Sequence, residues 1–391
     1  MNKRNIDIIS KYFTPANAGI EVNILETYKV LAKSWNITMH TSTDTLKEID
    51  VLSSTDLVEN IQVKRYKFGK LGYFPKINWK KADLICLHNF NVFFFPILIW
   101  LKIKKLQGHK FCVIVTPHGG FNPEWRVFPK LQRVLKYWYH KTVGVYFLNT
   151  VVDKIRAVSE WEKRSMVEMG VNPKKIRVIT NGLENDAFKD IEKLASSDVK
   201  KKVKSYGKYL IQIGRVYPIK NYETVIKSLV QLPAEVKYLI VGEEEKNNHY
   251  SGYKQQLIDL ARSLGVEKRV IFTGQVRGVD KYYLIKHAQL MVHMALWESF
   301  CNVVHEGMSQ GLVCVVANNT ALPLLIKDGV NGYCVETMDS DMLAKKINYV
   351  LEHKKSTKIK QIERLNQKLG LEVSWVQVAG KMDAFYREGN I

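Results

Sequence analysis

Two cations and two carboxylates in the second half of this 391-residue chain have the types and spacing to hold a phosphorylated ligand. Arg215 and Lys220 stand five residues apart in IGRVYPIKN, directly after the apolar run 209–213. Arg offers a planar bidentate fork and Lys a mobile point charge, a pair of donors suited to a diphosphate. Gly214, just before them, admits close approach of backbone to such an anion. Glu298 and Glu306, with seven residues between them in ESFCNVVHE, follow another apolar run, 290–293. That spacing puts Glu298 in a loop and Glu306 one or two turns inside a helix, both expected to face a cleft. A carboxylate there can accept from two vicinal ribose hydroxyls, while N–H groups of Phe300, Cys301, Asn302 and Val303 face phosphate. Solvated loop cations and helix-capping acids are the plainer reading of either pair taken alone.

The first half offers two more candidates. His118, in TPHGG, follows the apolar run 111–115 and so falls at a strand's carboxyl end, where open α/β sheets bind their ligands. Its imidazole can exchange hydrogen bonds with a sugar hydroxyl, or simply satisfy a glycine-rich turn. The turn PANAGIE leads through Gly19 into a helix, and its small residues admit phosphate at the helix N-terminus. A tight strand-to-helix turn without ligand fits the same spacing. Asp339-Ser340-Asp341 has the form of a metal-binding DxD, but Asp341 precedes a helix and is expected to be its N-cap, so no metal is expected.

The elements that must position these residues alternate along the chain, short β-branched runs with helical periodicity, which predicts parallel sheets covered by helices. Strands are expected near 6–9, 37–40, 63–66, 84–87, 111–115, 154–157 and 176–179, and in a second series near 209–213, 238–241, 270–272, 290–293, 313–317 and 333–335. The lysine-rich stretch 191–208 reads as a linker, dividing an N-terminal domain, 1–190, from a second, 209–370. Apolar residues at Trp375, Val378, Met382, Phe385 and Tyr386 predict a final helix within 371–391 that packs back on the first domain.

Lys and Arg outnumber Asp and Glu by 59 to 38, a net charge of +21 that calls for an anionic partner. Between Lys102 and Lys141 there are nine Lys or Arg residues and one acid, Glu124. Within it, residues 129–141 set Leu131, Val134, Leu135, Trp138 and Tyr139 against Lys130, Arg133, Lys136 and Lys141. That pattern suits a helix lying on anionic lipid, and equally a domain helix with its apolar side in the core. Zinc spacings, an RNP motif and a basic recognition helix are missing, which speaks against nucleic acid as the partner. Five scattered cysteines, an odd number, suit reduced thiols in the cytoplasm, and MNKRNIDIIS does not read as a signal peptide. The longest apolar run, 92–101, is about half the ~20 residues that cross a bilayer as a helix.

Taken in order, AGIE, ADLICLHN, TPHGG, AVSEWEK, VITNGLENDAF, IGRVYPIKN, YLIVGE, ESFCNVVHEGM and KDGVNGY resemble the family 4 retaining glycosyltransferases over most of the chain. The resemblance implies the GT-B fold, two facing Rossmann-like domains with a cleft between them and a C-terminal helix crossing back. It implies that Arg215 and Lys220 hold the diphosphate of a UDP- or GDP-sugar and stabilise it as leaving group. Glu306 would bind the ribose, and Glu298 would lie near the donor sugar together with His118. A hexosyl group would pass with retention, by front-face displacement and without metal or other cofactor, to a glycan or lipid-linked acceptor. A nucleotide-sugar epimerase or hydrolase of the same fold stays open. Three positions depart from the family pattern: Ala18-Gly19 replaces a glycine pair, Asn221 a frequent glycine, and Leu324 a frequent Glu after the proline.

Overall fold

The computed structural model describes residues 3–16, 19–44, 52–91, 94–121, 129–244 and 251–388. The chain divides into one unit made of residues 1–182 and 375–391 and a second made of residues 183–374.

In the first unit the aliphatic runs become β1 (Arg4–Ile9), β2 (Trp35–Ser42), β3 (Thr55–Val58), β4 (Ile61–Tyr66), β5 (Leu84–His88), β6 (Cys112–Thr116), β7 (Lys154–Ala157) and β8 (Ile176–Val178). They form one sheet in the order β3-β4-β2-β1-β5-β6-β7-β8. All neighbours are parallel except β3, which runs antiparallel to β4 at the edge. The sequence did not announce β3, because Thr55, Asp56 and Leu57 are exposed and carry no apolar run. In β5 and β6 every residue is buried, as expected of parallel strands with both faces covered.

The second unit holds β9 (Tyr209–Ile213), β10 (Lys237–Val241), β11 (Val270–Gly274), β12 (Leu290–His293), β13 (Cys314–Ala317) and β14 (Gly332–Val335), all parallel, in the order β11-β10-β9-β12-β13-β14. Among its parallel strands each sheet reverses order once, between β1 and β5 in the first unit and between β9 and β12 in the second. At such a point the loops leaving the two central strands diverge to opposite faces and open a crevice at the strands' carboxyl ends.

Trp375–Arg387 is a helix of the first unit. Its buried residues Trp375, Val378, Ala379, Met382, Phe385 and Tyr386 recur at helical spacing and form one apolar face. The face meets the helix Gly19–Leu31, where the hydroxyls of Tyr28 and Tyr386 lie 2.6 Å apart. Trp35 adds an indole N–H bond to Asp383 at 2.6 Å.

The stretch 191–208 is not an extended linker. It contains helices Ile191–Leu194 and Ser197–Tyr206, with Ile191 and Val199 in the core of the second unit. Val199, Val203 and Tyr206, spaced by four and three, suffice to seat a helix whose other residues are mostly polar. Ser196 caps it and bonds Asp280 through both its N–H and its hydroxyl. The N-cap of the helix Ser340–Glu352 also differs from expectation: Asp339, not Asp341, accepts from the Met342 N–H at 2.8 Å, and Asp341 accepts from Gln231.

Candidate active site

In the second unit, the loops that follow β9 and β12 carry Arg215, Lys220 and Glu298, all at the strand-order reversal. The first loop turns at Gly214, whose carbonyl passes so near Gly242 that a Cβ there would stand 1.9 Å from the oxygen. Gly214 N–H donates to Val241 O, so the two strand ends are tied while Arg215 stays exposed. Buried Gln212 accepts from the Tyr238 hydroxyl and donates to the Lys220 carbonyl at 2.8 Å. The two loops are joined by Leu296 N–H to Ile219 O at 2.8 Å. Asn221 explains one departure from the family pattern: it lies in the left-handed region at φ 50°, where asparagine is the usual substitute for glycine. Its amide then works for the site, donating to Met294 O and accepting from Thr224.

Lys220 Nζ lies 2.5 Å from Glu298 Oε1, and His293 Nε2 lies 2.9 Å from the same oxygen. Thr320 fixes the backbone by accepting from Glu298 N–H at 3.0 Å. Burial alone would raise the Glu298 carboxyl, but the charge of Lys220 and the bond from His293 outweigh it and hold the group at about 2. Burial lowers His293 and keeps it neutral. Since an ionised carboxylate only accepts, His293 carries its proton on Nε2, and among the described residues its buried Nδ1 has no hydrogen-bond partner.

Glu306 belongs to a second cluster. It sits on the helix Asn302–Ser309, whose N-cap Cys301 has a left-handed backbone at φ 77°. Phe300 and Cys301 are buried; Asn302 and Val303, at the helix start, are half-buried. Glu306 Oε1 pairs with Lys281 Nζ at 3.0 Å, and Lys281 also pairs with Glu184 at 2.9 Å. Burial pushes the Glu306 carboxyl up against the pull of Lys281. Among the described residues its Oε2 is buried without a hydrogen-bond partner, an open acceptor on the second turn of the helix.

In the first unit His118 is half-buried after β6, at φ 52°, with its Nε2 2.9 Å from Nδ1 of His88. Gly120 is required next to it, because a Cβ would fall 2.2 Å from Asn89 Oδ1. Glu162 accepts from Gly119 N–H and Val158 N–H, which fixes the turn. Gly19 is the exposed first residue of its helix, with open space where a Cβ would go, so no contact among the described residues demands glycine there. Ala18 lies outside the described residues.

Comparison with known proteins fits these loops. Residues 19–186 match the model described as Glycosyltransferase Family 4, and residues 196–367 match Glycosyl transferases group 1. The chain belongs to the family 4 glycosyltransferases. An uncharacterized glycosyltransferase of Methanocaldococcus jannaschii is 25% identical over 385 residues, covering 92% of each chain. The Escherichia coli UDP-Gal:alpha-D-GlcNAc-diphosphoundecaprenol alpha-1,3-galactosyltransferase is 25% identical over 73% of this chain and 70% of its own. Among solved structures, Anabaena HepE in complex with UDP and glucose superposes with a TM-score of 0.75 at 19% identity, covering 98% of this chain and 99% of that one. The fold is GT-B.

Several site residues of this glycosyltransferase were not legible beforehand. Lys281 lies outside the quoted motifs, Glu184 lies within VITNGLENDAF with no role read for it, and both meet Glu306 only through folding. His293 ends β12 five residues before Glu298, and a histidine closing an apolar strand just ahead of a loop carboxylate was the available signal. His293, Glu298 and Cys301 are the one group among the described residues with three potential metal-ligating atoms close together. The Lys220 ammonium on the same carboxylate oxygen opposes a cation there.

The helix Lys130–Tyr139 has no buried residue. Leu131 is 73% exposed and Trp138 64%. Its apolar side is therefore not in the core, one of the two readings its sequence allowed. Among the described residues no helix is long and apolar enough to cross a membrane.

Proposed function

We propose that the protein is a retaining hexosyltransferase that takes its sugar from a UDP- or GDP-sugar and delivers it to a glycan or lipid-linked acceptor, in cell-surface polysaccharide or glycolipid synthesis. The observation that carries this reading is the Lys220–Glu298–His293 cluster beside Arg215 at the reversal point of the second sheet. Arg215 and Lys220 bind the donor diphosphate. As the bond from the anomeric carbon to the phosphate oxygen breaks, they neutralise the charge left on that oxygen. The acceptor oxygen bonds to the anomeric carbon on the same face, and its proton passes to the departing phosphate. Glu298, kept ionised and pinned by two donors, sits near the donor sugar; Glu306 accepts from the ribose hydroxyls through its open oxygen. Gly214, Phe300, Cys301, Asn302 and Val303 contribute backbone around the phosphates, with Gly19 and His118 assigned to substrate from the first unit. No metal or other cofactor takes part in this reading.

The E. coli relative acts on a diphosphoundecaprenol-linked sugar and uses UDP-Gal by its name, which supports a UDP-sugar and a lipid-linked acceptor. The exposed Leu131, Val134, Leu135 and Trp138, set among Lys130, Arg133 and Lys136, support peripheral binding to anionic lipid at the cytoplasmic membrane face. The test is incubation with a panel of UDP- and GDP-sugars, with and without a polyprenyl-diphosphate-linked acceptor, read by mass spectrometry and by NMR of the new anomeric centre. An acceptor-dependent product with the donor's anomeric configuration is expected. Donor consumption without acceptor would favour the epimerase or hydrolase, and an inverted product would overturn retention. Flotation with anionic vesicles at low salt tests the lipid contact, and failure to float removes it.

A further inference from the structure

Four side chains of the first unit form an unbroken hydrogen-bonded line that ends on His118. The hydroxyls of Tyr386 and Tyr28 are 2.6 Å apart, Tyr28 reaches His88 Nε2 at 3.0 Å, and His88 Nδ1 reaches His118 Nε2 at 2.9 Å. Tyr28, His88 and Tyr386 are buried, whereas His118 is half-buried. Among the described residues, His118 Nδ1 has no hydrogen-bond partner. The line uses both ring nitrogens of His88, so the tautomer of one imidazole dictates that of the other.

Acid–base strength sets its direction. A phenol is a better donor than a neutral imidazole N–H, and an imidazole nitrogen a better acceptor than a phenol oxygen. Tyr386 therefore donates to Tyr28, Tyr28 to His88 Nε2, and the Nδ1–H of His88 to His118 Nε2. Bonds that all point one way also strengthen one another. We infer that His88 is a positioning residue for His118, and that the line from Tyr386 fixes His118 as the Nδ1–H tautomer, offering a hydrogen-bond donor to a neutral oxygen of the substrate.

The surroundings hold both rings neutral. Burial lowers His88 to about 3 and His118 well below its usual value, and the Arg156 guanidinium adds to both effects. Arg156, from β7, donates to the carbonyls of Ile179 and Thr180 and to Asn23 and Asn181, and the Glu162 carboxyl is near enough to interact with its charge. Among the described residues, Cys86 on β5 hydrogen-bonds the Tyr28 and Tyr386 hydroxyls and burial pushes its thiol up to about 12, Asp7 acts on that thiol, and burial raises Glu162 to about 7. A doubly protonated His88 would present two donors, so Tyr28 would have to turn from donor to acceptor and the one-way order of the line would be lost.

This inference rests on the reading of His118 as a substrate-binding group, and the test separates the two. The ring nitrogens of ¹⁵N-histidine-labelled full-length protein are read by long-range ¹H–¹⁵N NMR in wild type, His88→Gln and Tyr386→Phe, alongside steady-state transfer by the same variants and His118→Ala. His118 is expected as Nδ1–H in wild type and as a tautomer mixture in His88→Gln and, more weakly, in Tyr386→Phe. His88→Gln is expected to lower kcat about tenfold while leaving donor KM within twofold, and thermal melts identify any variant that has simply unfolded. An unchanged His118 tautomer in His88→Gln, or wild-type tautomer exchange in the absence of any substitution, overturns the inference whatever the activities. Full activity of His118→Ala refutes the role of His118 itself.

Discussion

The two units carry their candidate groups on loops at the carboxyl ends of central strands, yet with opposite materials. The second unit sets cations against carboxyls: Lys220 with Glu298, and Lys281 with Glu306 and Glu184. The first uses groups held neutral by burial, His88, His118 and two tyrosines, with the Arg156 guanidinium sunk among carbonyls and amides. The difference follows from the ligands proposed for each. A diphosphate brings its own charge and is met by fixed cations, whereas sugar and acceptor hydroxyls are neutral and need donors and acceptors of set direction. Fixed charge gives strength, and a chosen tautomer gives orientation.

The contrast can be broken in several ways, beginning with the largest effect. Lys220→Ala removes the cation at the leaving group and is expected to lower kcat by about 10²–10³-fold, the usual loss when one preorganised charge donor is removed. Steady-state kinetics at saturating donor, with a melt to show that the variant folds, would check it. Comparable turnover would mean the charged cluster is structural only.

Lys281→Met leaves Glu306 and Glu184 without their shared cation, and breaking a buried pair of this kind costs about 3–5 kcal/mol. Urea unfolding should show that loss together with weaker UDP binding by calorimetry. A stable variant with unchanged UDP affinity would detach this cluster from donor binding.

The neutral side makes a pH prediction with a definite sign. His88 titrates near 3 in the native protein against about 6.5 unfolded, so below 6.5 the unfolded chain binds the extra proton. The stability it contributes is complete above about pH 6.5 and is lost as pH falls toward 3, at about 1.4 kcal/mol per pH unit. Glu298, at about 2 in the fold, adds its own loss only below its unfolded value of about 4.3. Between pH 6 and 5, His88→Gln should therefore flatten the slope of unfolding free energy measured in urea, while Glu298→Gln should not. Equal slopes for wild type and His88→Gln would show that His88 is not held neutral.

The smallest effect is at Gly19. With open space at its Cβ, Gly19→Ala should leave the melting temperature unchanged and raise donor KM only a few-fold. An unchanged KM would remove this turn from the donor's surroundings, and a large drop in melting temperature would reveal a packing role that the helix start does not display.

The sequence alone determined the fold class and most strands, because parallel strands buried on both faces write themselves as apolar runs such as YLIQI at β9 and LMVH at β12. It also placed Arg215, Lys220 and Glu298 at strand ends, since loop position follows directly from where those runs stop. It misread 191–208, where a helix held by Val199, Val203 and Tyr206 has too few apolar residues to stand out from a lysine-rich linker. Only the tertiary structure decided which charges meet. Lys281 reaches Glu184 across 97 residues and Tyr386 reaches Tyr28 across 358, and no local spacing carries such information. A motif fixes a side chain's place along a strand or helix; its protonation state and its partner depend on what the rest of the chain folds against it, as the partners of Glu298, Glu306 and His118 illustrate.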